Sequence, residues 1–262
     1  MCAGWSAKAP EMLRAALAAA ALLAAVAGHA QQGPRIGLEG SHAREGLTGP
    51  NAPWTDSWLR LDLKLATLQA FSARLRETER FGLRDREQAL GAYLPLGGGW
   101  SVELELSASS THRVLPRHAL LAQVGKSFGG GWGAYAGLRR SAYTQSEADL
   151  RLFTLERYFG AERIAYTFYS GRPDGGGSAP SHRLQWSHYF NDRDFIGLSV
   201  AAGREVENIA PAGLVTSRVR SLYLTGRWWF APDWALTAEA GVHEQGSLYR
   251  RHGLRLGLRH EF

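Results

Sequence analysis

The sequence predicts an all-β fold, a transmembrane up-and-down antiparallel β-barrel of about fourteen strands. Three observations carry this prediction. Apolar and polar side chains alternate with a period of two, short turns alternate with longer polar segments, and the chain ends on an aromatic residue preceded by alternate apolar positions. A period of two is that of a strand with one apolar face. The spacing of the turns separates a membrane barrel from a soluble sandwich, whose turns recur faster.

The first thirty residues stand apart. Arg14, the Ala- and Leu-rich run from Ala15 to Val26, and Gly28-His29-Ala30 read as the n-region, h-region and cleavage site of a signal peptide. Residues 1–30 are therefore expected to be removed, leaving 31–262 as one barrel domain. Met12 serves as a start as well as Met1. The only cysteine, Cys2, lies before the apolar run, so the remaining chain has no disulfide, and a lipid-anchored form is not expected.

Composition narrows the class further. With 45% apolar and 21% charged residues and a mean hydropathy of -0.24, the chain is neither disordered nor a bundle of membrane helices. After residue 30 no apolar run reaches the length of a membrane helix. The net charge is +6, and beyond the leader Lys64 and Lys126 are the only lysines. Arginines dispersed along a secreted chain argue against a nucleic acid partner, which needs clustered charge. They suit the phosphates of an outer leaflet.

In order, the strands are expected at 34–42, 56–66, 69–79, 84–95, 100–109, 118–128, 132–143, 148–158, 161–171, 181–190, 194–205, 217–230, 234–245 and 249–262. The clearest is 56–66, where Leu59, Leu61, Leu63 and Leu65 share one face and Arg60, Asp62 and Lys64 the other. In 100–109, Val102, Leu104 and Leu106 oppose Glu103 and Glu105. The segments 34–42 and 84–95 alternate least, which leaves twelve strands as the alternative count. An even number places both ends in the periplasm.

Short turns are read near 67–69, at Gly97-Gly98-Gly99, at Gly129-Gly130-Gly131, around Gly160, at Asn191-Asp192-Arg193 and at Ala231-Pro232-Asp233. Their centres lie roughly 30 to 40 residues apart, room for two strands and a loop. The longer polar segments at 43–56, 109–118, 144–148, 171–181 and 206–216 are expected to be loops on the outer rim. Aromatics gather beside the short turns: Trp100, Phe128, Trp132, Tyr158, Phe159, Tyr189, Phe190, Trp228, Trp229, Phe230 and Trp234. They predict an interfacial girdle.

At the C-terminus Leu254, Leu256, Leu258, His260 and Phe262 share one face. This pattern resembles the terminal signal read by the barrel-assembly machinery, with His260 standing where an aromatic is more usual. That resemblance implies the machinery as a partner.

Several short segments extend the likeness: Gly137-Leu138-Arg139, Tyr158-Phe159-Gly160, Ser187-His188-Tyr189-Phe190-Asn191-Asp192, Gly197-Leu198-Ser199, Gly203-Arg204-Glu205, Gly226-Arg227-Trp228-Trp229, and Tyr249-Arg250-Arg251-His252-Gly253 running into Gly257-Leu258-Arg259. Over residues 40 to 262 the chain resembles the YaiO-type family of outer-membrane barrels. Membership implies an outer-membrane location and, for some relatives, association with exopolysaccharide export behind helical repeat domains, which this sequence does not contain. The family supplies no established catalytic residues and no cofactor.

Charged residues on the non-apolar face are expected to line the lumen, because Arg or Lys facing lipid at the midplane costs about 2 to 4 kcal/mol. They are Arg60, Asp62, Lys64, Arg74, Arg76, Glu103, Glu105, Arg139, Glu156, Arg163, Arg227, Glu239, Arg251, Arg255 and Arg259. Two readings stay open: a polar conduit favouring anionic sugars, or a lumen closed by Arg–Glu pairs. Barrel closure sets Arg255 and Arg259 between strands carrying Glu39 and Glu239. Arg218 and Arg220 share parity with lipid-facing Leu222 and Leu224 near the outer end. There they meet either lipopolysaccharide phosphates or water.

A hydrolase needs a serine beside a histidine, and the available pieces are Ser181, His182, Ser187, His188 and His243. Adjacent residues of a strand point to opposite faces, so Ser181 and His182 are not nucleophile and base. His188 takes lipid-facing parity beside the periplasmic turn at 191–193, whereas barrel lipases work nearer the outer leaflet. No metal-ligand spacing, phosphate loop or nucleophile elbow is present, and neither a metal nor a cofactor is expected. The expected function is an envelope structural role or an exopolysaccharide conduit, carried by a monomer in contact with outer-membrane lipid. The alternatives are an outer-membrane hydrolase of lipid or lipopolysaccharide, and a sealed structural or adhesive barrel.

Overall fold

A computed structural model describes residues 34–262 apart from 50–51, 67–68 and 210–212. The expected signal peptide lies outside the described residues. Fourteen strands run up and down: β1 (Arg35–Leu47), β2 (Trp54–Ala66), β3 (Gln69–Arg80), β4 (Leu83–Gly97), β5 (Trp100–Ser109), β6 (His118–Ser127), β7 (Trp132–Ala142), β8 (Glu147–Phe159), β9 (Glu162–Pro173), β10 (Ala179–Tyr189), β11 (Phe195–Ile209), β12 (Gly213–Ala231), β13 (Trp234–Gln245) and β14 (Tyr249–Glu261). Each pairs antiparallel with the next, and β14 returns to β1. The count is fourteen rather than twelve because the two weakly alternating segments form β1 and β4.

Contacts between strands that are not sheet neighbours fix which face is the interior. Arg255 of β14 and Asp56 of β2 are separated by β1, so their 3.0 Å contact is made inside the barrel. Arg60 and Asp62 share that face of β2, and Leu59 and Leu61, which alternate with them, take the outward one, Leu59 well exposed. Leu254, Leu256 and Leu258 face out on β14, and Leu104 and Leu106 on β5, all well exposed. That outward apolar band and the polar interior are the inverse of a soluble core.

The short turns of one rim fall where the sequence places them, apart from the one expected near 67–69, which lies largely outside the described residues, and both ends of the barrel lie there. Gly97, Gly98 and Gly99 all take positive φ, 84°, 55° and 81°, a run that side chains disfavour. Trp100, Phe128, Trp132, Phe159, Phe190, Trp228, Phe230 and Trp234 are exposed outward beside this rim. Tyr158, Tyr189 and Trp229 correct the expected girdle: they turn into the mouth of the lumen. The Arg163 guanidinium lies 5.8 Å from the Tyr158 ring, and Tyr189 packs on Phe195 at 5.7 Å. In each doublet, Tyr158-Phe159, Tyr189-Phe190 and Trp228-Trp229, consecutive side chains must part to opposite faces.

The opposite rim differs more from expectation. The segments 43–56 and 206–216, expected as loops, are largely strand: β1 runs to Leu47, β2 begins at Trp54, and the β11–β12 ladder continues to Ile209 opposite Gly213. A strand that rises above the bilayer keeps its ladder hydrogen bonds but needs no apolar face, so alternation does not mark it. The longest fully described connection of this rim is 110–117, between β5 and β6.

Candidate functional site in the barrel lumen

Three layers of charge occupy the lumen. At the closing seam Arg259 meets Asp62 at 2.8 Å, Glu261 at 3.2 Å and Glu39 at 3.3 Å, with only 9% of its side chain exposed. Its guanidinium passes over Gly37, where a Cβ would collide with it. Arg60 adds a second contact to Asp62 at 2.7 Å.

In the middle layer Arg76 and Arg255 share Asp56, at 2.6 and 3.0 Å, and Arg255 approaches Glu239 at 4.0 Å. Arg74 lies 3.4 Å from Glu87 and 3.7 Å from Glu105, which also meets Arg139 at 3.6 Å. Glu103 accepts the Gln123 amide at 3.3 Å. On the next wall Glu156 meets Arg163 at 2.7 Å and accepts the Tyr135 hydroxyl at 2.7 Å. Arg227 donates to the Arg193 carbonyl at 2.9 Å. Lys64 stands opposite Arg35 at the periplasmic rim and makes no ion pair among the described residues. Desolvated charges need partners, and most of these have them.

The outer layer is an aromatic and ionic knot. Trp54, only 2% exposed, packs edge-on against Phe81 at 5.0 Å and Tyr249 at 5.3 Å, with Arg80 and Arg251 over its ring at 4.7 and 5.2 Å. Arg251 pairs with Glu45 at 2.7 Å, and Tyr249 donates to Glu207 at 2.5 Å. Glu207 lies on β11 beyond Gly203, whose φ of 145° favours glycine and whose partner Ser181 is the last β10 residue to pair with β11. Past that point β11 reaches over the lumen, and Glu207 lies 3.7 Å from Arg80 of β3.

Beside this knot the 110–117 segment folds into the mouth. The buried Asp85 of β4 accepts the backbone N–H groups of Val114 and Leu115 through one oxygen, at 2.7 and 2.8 Å. From the other side Asn208 of β11 donates to the Val114 carbonyl at 3.2 Å. β4 and β11 stand seven strands apart in either direction, so Val114 joins opposite walls where the segment meets the end of β11 that reaches over the lumen.

Beneath it lies a polar cavity of about 340 Å³ lined by Asp56, Arg76, Arg80, Arg183, Tyr223, Glu239 and Arg255, among others. Arg183 differs from its neighbours. Its guanidinium lies 5.2 Å from the Tyr169 ring, it has no carboxylate partner among the described residues, and its Nε is buried without a hydrogen bond. Arg183 is absent from the charges expected in the lumen, although the parity of β10, which it shares with Ser181, sets it there.

The hydrolase pieces separate between the two faces of the wall. Ser181 is buried in the interior, while His182 faces out to the Tyr166 hydroxyl at 2.7 Å. His188 faces out to Glu162 at 2.7 Å, and buried His243 meets Gln245 at 2.7 Å. A pair that sequence reasoning missed does form: His42 Nδ1 and Ser57 Oγ, 2.8 Å apart on the outward face of β1 and β2. No carboxylate or amide meets the other ring nitrogen among the described residues, so the pair lacks an orienting third group. No group of three His, Cys, Asp or Glu is placed to hold a metal ion among the described residues.

Arg218 and Arg220 are exposed on the outward face of β12. His260 faces out between Trp234 and Phe262, with ring centroids 4.4 and 4.3 Å away. At the periplasmic rim Asp194 accepts the Trp229 N–H at 2.7 Å and the Asn191 amide at 2.7 Å; in that order these bonds hold its carboxyl below the usual range.

Comparison with known proteins places these features. The YaiO membrane beta barrel domain matches residues 38–208. No curated protein matches the chain. Among solved structures, a bacterial polysaccharide outer membrane secretin superposes with a TM-score of 0.59 at 10% identity, covering 87% of this chain and 98% of that one. OmpF of Salmonella typhi, solved in complex with daunomycin, superposes with a TM-score of 0.50 at 8% identity, covering 87% and 97%. These likenesses show a shared fold.

Proposed function

Since the chain belongs to the YaiO membrane beta barrel family and lies in the bacterial outer membrane, we propose that it is a conduit for an anionic saccharide, used in passage of an envelope polysaccharide. The observation that carries this reading is Arg183. Around it the lumen neutralises its arginines with carboxylates, but this guanidinium faces a polar cavity unpaired and needs an anion. The Tyr169 ring under it supplies a face against which a sugar can stack. The shared fold with a polysaccharide secretin supports the substrate class.

Conductance of the refolded chain in planar bilayers tests the proposal. Arg183→Ala is expected to lower anion preference and to weaken block by an acidic oligosaccharide. Arg183→Lys, which keeps the charge but not the fork, restores the first more than the second. Arg255 and Arg259 are poorer probes because carboxylates already hold them.

A second reading, a sealed structural barrel, is favoured by the 110–117 segment and the end of β11, which meet at Val114 over the mouth. A folded chain that never conducts supports it over the conduit.

A further inference from the structure

The outward charges of the outer rim are distributed unevenly. On β3 and β4 they neutralise one another, Arg86 with Glu77 at 2.7 Å and Arg84 with Glu79 at 2.9 Å, and on β7 and β8 Arg140 meets Glu147 at 2.5 Å. From β11 round to β1 four arginines have no such partner. Arg204, Arg218, Arg220 and Arg44 face out, exposed, with no carboxylate partner among the described residues. Glu244, the outward acid of β13, is held 3.7 Å from Arg250.

Arg204 and Arg218 are moreover direct cross-strand partners. Like charges placed opposite each other on one face of an antiparallel pair repel, and an anion between them removes that cost.

Below this arc the same strands form an apolar trough of about 1070 Å³, walled by Leu222, Leu224, Leu254 and Leu256 with Ala240 at its floor. Arg44, His42 and His252 stand at its upper end. The His252 ring lies over Gly46, where a Cβ would come within 3.2 Å of it. Anion-seeking groups above an apolar channel, on the outer side of the bilayer, match an amphiphile whose phosphates sit above acyl chains.

We propose that the β11–β1 arc is a binding site for a phosphorylated, acylated glycolipid of the outer leaflet. Arg204 and Arg218 grip a phosphate with Arg220 beside them, and an acyl chain fills the trough below Arg44 and His252. The site lies on the outer wall and is independent of whether the lumen conducts.

The full-length chain, purified and incorporated into phosphatidylcholine nanodiscs doped with bisphosphorylated lipid A, tests this by native mass spectrometry. Retained lipid A is expected to fall about fivefold for each arginine removed in Arg204→Ser with Arg218→Ser. Arg84→Ser with Arg86→Ser, an equal charge change on the far side, should leave retention unchanged. Ala240→Phe, which fills the trough, should lower retention, and dephosphorylated lipid A should bind the wild type as weakly as lipid A binds the double variant. Heat-modifiable electrophoretic mobility confirms that each variant is folded. Equal retention by the wild type and the Arg204/Arg218 variant overturns the proposal, as does equal loss in the Arg84/Arg86 control. A two-chain particle that Ala240→Phe dissociates also overturns it, by giving the trough to a second copy.

Discussion

Arg259 reaches over the bare backbone of Gly37 to Asp62, 2.8 Å away on the far side of β1. The last strand is thereby tied to the second across the first. Arg259→Ala leaves Glu39, Asp62 and Glu261 facing one another without their cation. Breaking such a buried network should cost about 3 kcal/mol, read as an earlier urea midpoint for the barrel in vesicles. Gly37→Leu should cause a similar loss with the charges intact, because its side chain takes the guanidinium's place. An unchanged midpoint in either variant removes the seam as a source of stability.

From the β4 side, one carboxylate oxygen of Asp85 holds the tip of the 110–117 segment at the mouth. Asp85→Ala orphans the N–H groups of Val114 and Leu115, at about 1 to 3 kcal/mol for each buried donor. If the barrel conducts, conductance should rise several-fold in this variant as the segment leaves the mouth. Loss of conductance instead would mean that Asp85 holds the passage open.

Asp194 couples the β10–β11 turn to Trp229. Its folded carboxyl titrates below its ordinary value of 3.8, so the stability it adds is present above that value and is lost as pH falls through the lower folded one. The Trp229 amide resonance should therefore shift with a midpoint below 3.8, and Asp194→Asn should abolish the shift. A midpoint above 3.8 contradicts the hydrogen bond.

His42 and Ser57 have the reach of a base and nucleophile but, among the described residues, no third group to orient the imidazole. We expect a fluorophosphonate probe to leave Ser57 unlabelled in the folded barrel. Labelling that disappears in both Ser57→Ala and His42→Ala would reopen the hydrolase reading.

The strands were legible because every crossing segment must hide one face from lipid and the other from nothing, which writes a period of two into the sequence. His260 departs from the usual aromatic, yet its ring fills an aromatic's place between Trp234 and Phe262. Above the bilayer the constraint lapses, and there sequence reading took the extended ends of β1, β11 and β12 for loops. Cross-lumen partners were legible only in part. Arg259 with Glu39 follows from closure, since β1 and β14 are neighbours, but Arg255 with Asp56 depends on side-chain reach past an intervening strand. The same holds for Arg80 with Glu207, which requires the turn of β11 past Gly203. His42 with Ser57 hinges on the exact register of one hairpin, which alternation alone leaves free by two residues.

The segment held between Asp85 and Asn208 has a mechanical meaning as well. A hoop of fourteen strands can flatten into an ellipse by small changes of twist at every seam, without breaking a ladder. A chord fastened to opposite walls turns that soft deformation into the stretching of specific hydrogen bonds. Along the diameter from β4 to β11 those bonds resist flattening of the barrel.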